Sequence, residues 1–290
     1  MAVALKGKNQ IHKFRQVAEA LAGRFASYDG VIGIIFLGAL VRGFADRTSD
    51  LDITVVVRQR DEALRRQLRQ LAVDVARRSD VADVDLIITL LDDFAQRDWD
   101  EGEKWEYSNA AEVVFDPSGA VKAVICKKLA APQAFWIQRI VCCATYLTWY
   151  CCPPHEAWVF TRDRLGIPST IAESWVDRGD VVAAHYCLHY GVDLLLQLIF
   201  ALNREYVPVP KWRLHYSYEL KWLPNDYQAL LKEILSTRSL SVEELHRKLG
   251  AIQKLWADVL IKIKDEFKLT SQQITDYYVH NILQQRPLTS

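Results

Sequence analysis

Apolar and polar residues alternate with a helical period at the start of this chain. Over residues 9–28, Ile11, Phe14, Val17, Ala18, Leu21 and Phe25 recur on one face, predicting an amphipathic helix that Asp29-Gly30 ends. Two unbroken apolar runs follow, Val31 to Leu37 and Ile53 to Val57. Between them lie Gly38-Ala39-Leu40-Val41-Arg42-Gly43 and, after a short polar loop, Ser49-Asp50-Leu51-Asp52. The order predicted is strand, glycine turn, short helix, loop and strand. A charged helix from about Asp61 to Arg78 buries Leu64, Leu68, Leu71 and Val75 and leaves Arg65, Arg66 and Arg69 on a solvated face. Asp83 to Leu90 reads as a third strand. Residues 101–110 are polar and aromatic and lead to a fourth strand, Ala111 to Asp116, closed by Pro117-Ser118-Gly119.

The pattern changes near residue 120. Helical periodicity runs through 118–130, 133–151, 180–204, 225–236, 241–266 and 271–284, punctuated by Pro132, Pro153-Pro154, Pro168, Pro208, Pro210 and Pro224. Ser241 and Glu244 have capping-box spacing. The expected fold class is α+β: residues 1–120 as an α/β domain with a mixed sheet, and residues 121–290 as an all-α helical bundle.

Composition narrows the function. With 290 residues, half of them hydrophobic, the chain can bury two ordinary cores. The 36 basic and 36 acidic residues cancel, against a surface for long nucleic acid. A small anionic ligand needs only a local patch. Apolar runs fall short of a membrane span, and the N-terminal stretch lacks the apolar core of a signal peptide, so a cytoplasmic protein is expected. Cys126, Cys142, Cys143, Cys151, Cys152 and Cys187 lack zinc-site spacing and read as reduced thiols.

Asp50 and Asp52 carry the most specific chemistry. Side chains two apart on a strand share a face, so these carboxylates project together. They are either a solvated strand end or a pair held ionised by a divalent cation, for which hard oxygen ligands favour magnesium. Asp85 precedes the third apolar run as Asp52 precedes the second, and a neighbouring strand would bring it to the same place. Asp83 is the other candidate and fits a turn.

The turn and the acids together resemble the nucleotidyltransferase superfamily related to DNA polymerase β. More narrowly, the chain is similar to small bacterial enzymes that adenylylate aminoglycosides or lincosamides and to their uncharacterised relatives. The matching residues are Gly38, Ala39, Arg42, Gly43, Ser49, Asp50, Asp52 and Asp85. The resemblance implies NMP transfer, AMP from ATP or another NTP, onto a hydroxyl of a small-molecule acceptor. It implies two Mg²⁺ ions held by Asp50, Asp52 and Asp85, with Asp85 alternatively the general base. Gly38, Ala39, Arg42 and Ser49 would lie on the nucleotide side, where Arg42 pairs with phosphate or with an acid of its own domain. The family has Ser where this chain has Ala39, so a hydroxyl donor is missing.

The stretch from Leu202 to Trp212, with Tyr206, Pro208 and Lys211, resembles the helical region of uncharacterised nucleotidyltransferase-like proteins. Lys211 is a triphosphate ligand or a surface lysine. Asp193 is a helix-edge acid or an acceptor-side base. His185 and His189, one turn apart, bind metal or pack. Trp212, Tyr216, Tyr218 and Trp222 line an acceptor pocket or fill the core. A protein or RNA-end acceptor, a nucleotide sensor that has lost transfer, and a homodimer stay open.

Overall fold

The structure, a computed structural model, describes residues 5, 7–79, 81, 83–151, 170–270, 273 and 276. The fold is α+β, with two compact units, residues 3–130 and 131–290.

In the first unit the predicted order appears: α1 (Ile11–Ala26), β1 (Val31–Leu37), α2 (Ala39–Arg42), β2 (Leu51–Val57), α3 (Glu62–Ser79) and β3 (Val84–Leu90). Then come α4 (Leu91–Gln96), α5 (Glu101–Asn109), β4 (Ala111–Phe115) and α6 (Ala120–Leu129). The sheet order is β3-β2-β1-β4. β1 is antiparallel to β2 and β4, while β2 and β3 are parallel and joined by the α3 crossover.

Alternation along the strands supplies two buried faces. On one, Ile34, Phe36, Ile53 and Val55 pack with Phe14, Leu21 and Phe25 of α1 and Leu64, Leu68 and Leu71 of α3. Phe14, Phe25 and Phe36 are fully buried, each contributing roughly 1.5–3 kcal/mol. On the other, Ile35, Leu37 and Val56 meet Phe94, Trp99, Val121 and Ile125. There α6 comes so close that a Cβ on Gly33 would stand 2.4 Å from Val121 Cγ2. Trp99 stacks on Tyr107 with centroids 4.3 Å apart, and burial pushes the Tyr107 phenol up to about 12.

The described part of the second unit holds α7 (Gln133–Tyr150), α8 (Ile171–Asp177), α9 (Val181–Leu202), α10 (Pro210–Ser217), α11 (Tyr227–Leu235) and α12 (Val242–Phe267). α9 is its axis, packed against α7, α8, α10 and α12. It is long and apolar enough to cross a membrane by length and composition, but 72% of its apolar window is buried inside the protein. It is a core helix of the bundle.

Three expectations need correction. Residues 101–109 form α5 rather than a polar lead-in, started by a full capping box between Asp100 and Glu103. Two short helices, α8 and α10, interrupt what read as linkers. At α12, Ser241 accepts from the Glu244 N–H, but the Glu244 carboxylate is taken by Arg247 and the Arg238 N–H, so the box is half formed. Cys152, Pro153-Pro154, Pro168 and most of the expected 271–284 helix lie outside the described residues.

Candidate functional site

β2 and β3 build the acid site. Their parallel register sets Asp52 opposite Asp85 and Leu51 opposite Val84. Leu51 and Val84 belong to the core under α1 and α3, so Asp52 and Asp85 share the other face. Asp50, two residues before Asp52, is exposed, as is Asp85, while Asp52 is half-buried. Asp83 is committed elsewhere: its carboxylate accepts from the Val84 N–H at 2.7 Å and its carbonyl from the Leu51 N–H at 3.0 Å.

Charges crowd Asp52. Burial first, then the carboxylates of Asp50 and Glu106, raise its pKa to about 6; Arg42 opposes this and Asp85 adds to it.

The glycine turn lies directly on this group. Gly38 has φ +61°, and a Cβ there would stand 2.0 Å from Asp52 Oδ2 and 3.4 Å from Arg42 Nη2. Only glycine fits both the conformation and the space. The Gly38 N–H donates to the Ala110 carbonyl at 3.1 Å. Ala39 is buried among the residues under α1, so its methyl belongs to the core.

Arg42 sits 3.6 Å from Glu106 Oε1, with its side chain only 13% exposed. The pair is with an acid of its own domain, one of the two roles its position left open. Ser49 closes a local turn, its Oγ accepting from the Asp46 N–H at 3.0 Å. The neighbouring Thr48 hydroxyl and N–H hold the Asp46 carboxyl below its ordinary range.

Two other contacts brace the turn from outside. Arg15 on α1 donates to the Leu40 carbonyl at 3.2 Å and pairs with Glu112 on β4. Asn9 bonds the Gly43 carbonyl at 3.0 Å and accepts from the Ala45 N–H at 3.1 Å. Neither residue, nor Glu106, stood out in the sequence. Arg15 and Glu106 are charged residues on helices, with no spacing that marks them.

The donor set of Asp50, Asp52 and Asp85 is all hard oxygen, and burial together with the neighbouring Asp50, Glu106 and Asp85 carboxylates raises the Asp52 carboxyl. That chemistry fits Mg²⁺. As they stand, no three His, Cys, Asp or Glu side chains among the described residues are gathered closely enough to hold a metal ion.

The remaining candidates belong to residues 131–290. Lys211 is exposed in the first turn of α10. Asp193 pairs with Arg213 and accepts from Gln197 at 2.8 Å. His185 is buried with Nε2 on the Ser241 carbonyl at 3.1 Å, a packing role, while His189 is exposed. Burial and the nearby Lys248 and His185 lower the His189 pKa. Trp212 meets His215 and Tyr216 ring to ring. Trp222 lines a cavity of about 600 Å³ with Asp258, Ile261 and Asp265, and the Lys262 ammonium stands 5.4 Å from its ring centroid. Among the described residues Cys126, Cys142, Cys143, Cys151 and Cys187 form no disulfide.

A family model described as a domain of unknown function, DUF4037, matches residues 169–213. No curated protein matches the chain. Among solved structures, the chain is similar to a nucleotidyltransferase-like protein from Exiguobacterium sibiricum 255-15, at 13% identity and TM-score 0.40, over 91% of this chain and 90% of that one. It is similar to a spectinomycin adenyltransferase from Enterococcus faecialis, solved with ATP and spectinomycin, at 11% identity and TM-score 0.32, over 91% and 99%. A toxin-antitoxin structure with AMP-PNP aligns over 43% of this chain and 91% of that one, at 20% identity and TM-score 0.30.

Proposed function

We propose that the chain is an Mg²⁺-dependent nucleotidyltransferase that moves AMP from ATP to a hydroxyl of a small-molecule acceptor. The observation that carries this reading is the register of β2 on β3, which faces Asp52 with Asp85 beside a side-chain-free turn at Gly38. Nucleotidyl transfer needs charge neutralisation and positioning more than covalent help from the protein. Two Mg²⁺ ions, when bound by Asp50, Asp52 and Asp85, would neutralise the triphosphate and the carboxylates together. Gly38 leaves room for close backbone approach, and the exposed Asp85 is alternatively the base that takes the acceptor hydroxyl proton. The acceptor oxygen attacks the α-phosphorus and pyrophosphate leaves.

The test is pyrophosphate release from Mg·ATP across an acceptor panel. Wild type is expected to turn over, and Asp50→Ala and Asp52→Ala to fall to background. Identical backgrounds in all three would refute the assigned site.

A second reading, a nucleotide-binding module without transfer, is favoured by one observation. Ala39 offers no hydroxyl, and its methyl is buried in the core. A hydrogen bond to a charged group is worth about 1.5–3 kcal/mol. This reading predicts ATP binding by calorimetry with no pyrophosphate formed.

A further inference from the structure

We propose that Glu106, acting through Arg42, is a positioning residue that fixes the Asp52 carboxylate against the Gly38 turn. Its catalytic consequence rests on the transferase reading above; the geometry does not.

Glu106 is held in a fixed frame. The Asp100–Glu103 capping box sets the start of α5, and buried Trp105 anchors its middle. The end of α5 is tied to the turn: the Ala110 N–H donates to the Glu106 carbonyl at 2.7 Å, and the Ala110 carbonyl accepts from the Gly38 N–H at 3.1 Å. Ala110 therefore links the backbone of Glu106 to that of the glycine turn.

Arg42 joins them. Its Nη1 lies 3.6 Å from Glu106 Oε1. Its Nη2 lies 3.4 Å from the point where a Gly38 Cβ would stand, and Asp52 Oδ2 lies 2.0 Å from the same point. The guanidinium and the Asp52 carboxylate thus flank a residue with no side chain. An arginine has many rotamers, and a counter-charge on one side restricts which of them it keeps. Carboxylates that serve as metal ligands depend on such outer partners, whose loss typically costs about 10- to 100-fold in affinity or activity.

The rival account is that Glu106 acts on Asp52 directly, as one more negative charge. The two differ in their dependence on Arg42, which a double-mutant cycle reads. Full-length protein labelled with ¹³C-aspartate is compared as wild type, Glu106→Gln, Arg42→Met and the double variant, following the Asp52 side-chain carboxyl resonance by NMR. Positioning predicts that Glu106→Gln moves the resonance and that this step disappears in the Arg42→Met background. It also predicts a fall of about 10- to 100-fold in Mg·ATP turnover for Glu106→Gln. An equal step in both backgrounds, or no step, overturns the proposal. Coupling seen in a protein with no turnover upholds positioning and sinks the transferase reading instead. Should Glu106→Gln not fold, Glu106→Asp, which keeps the charge but withdraws it by one methylene, carries the same comparison.

Discussion

Gly38 is the position where the smallest change should do the most damage. A methyl there meets the Asp52 carboxylate and also forces a non-glycine residue to φ +61°. Gly38→Ala should cost at least about 1–3 kcal/mol in a urea titration, because strain and clash add. Asp52 itself should make stability depend on pH. Its carboxyl titrates near 6 in the folded chain against 3.8 unfolded, so its ionised form is disfavoured by folding. The Asp52 contribution to stability is then greatest below about pH 4 and is lost as pH rises through 6, by up to about 3 kcal/mol. In chelator-treated protein, Asp52→Asn should unfold at a higher temperature than wild type at pH 7.5 and at the same temperature near pH 4. A wild type that is the more stable at pH 7.5 would contradict the crowding of charge around Asp52. Of this site, Asp50, Asp52 and Asp85 were legible because two-residue alternation and the placement of acids before apolar runs are local signals. Glu106 was not, since what gives it meaning is Arg42, sixty-four positions earlier in the numbering.

The strands and long helices were legible for the same reason, each repeating its apolar period several times. The short helices were not. Trp105 is the one buried residue of α5, Ala172 of α8 and Ser217 of α10, too few to establish a period. Caps and tertiary contacts determine them instead. The start of α12 shows how much a terminus can carry. Glu244 bonds Arg247 and the Arg238 N–H, Arg247 also pairs with Glu233, and Arg247 holds the Glu244 carboxyl down to about 2. A depressed carboxyl stabilises above its unfolded range near 4.5 and loses that contribution as pH falls toward 2. Glu244→Gln should therefore lower the thermal midpoint at pH 7 and narrow its distance from wild type on acidification, followed by circular dichroism. Next to it, Lys248 is fully buried with its ammonium on Thr237 Oγ1 at 2.7 Å, and burial lowers its pKa. Lys248→Met keeps the stem and drops the charge, so it should raise the midpoint. A fall would mean that the ammonium contributes more than its desolvation costs.

Residues 3–130 contain a complete sheet with both faces covered by their own helices. Expressed alone, this segment should fold cooperatively, giving one sigmoidal urea transition and dispersed amide resonances. A collapsed, non-cooperative fragment would show that its core is incomplete. Where the first unit stops was harder to read than what it contains. The helical period of α6 looks like that of the bundle, and only the packing of Val121 and Ile125 on the sheet shows where it belongs. The parallel pairing of β2 with β3 has one more consequence, for how this chain can tolerate insertions and deletions. Sliding β3 by a single position would replace Asp85 opposite Asp52 with Val84 or Leu86, both of which pack toward α1 and α3. Loops at either end of α3 can gain or lose residues freely, provided the strand keeps its place. Within 84–90 no odd-numbered length change preserves both the core and the facing acids. Related sequences should therefore vary in length around α3 and stay constant from Asp85 through the strand.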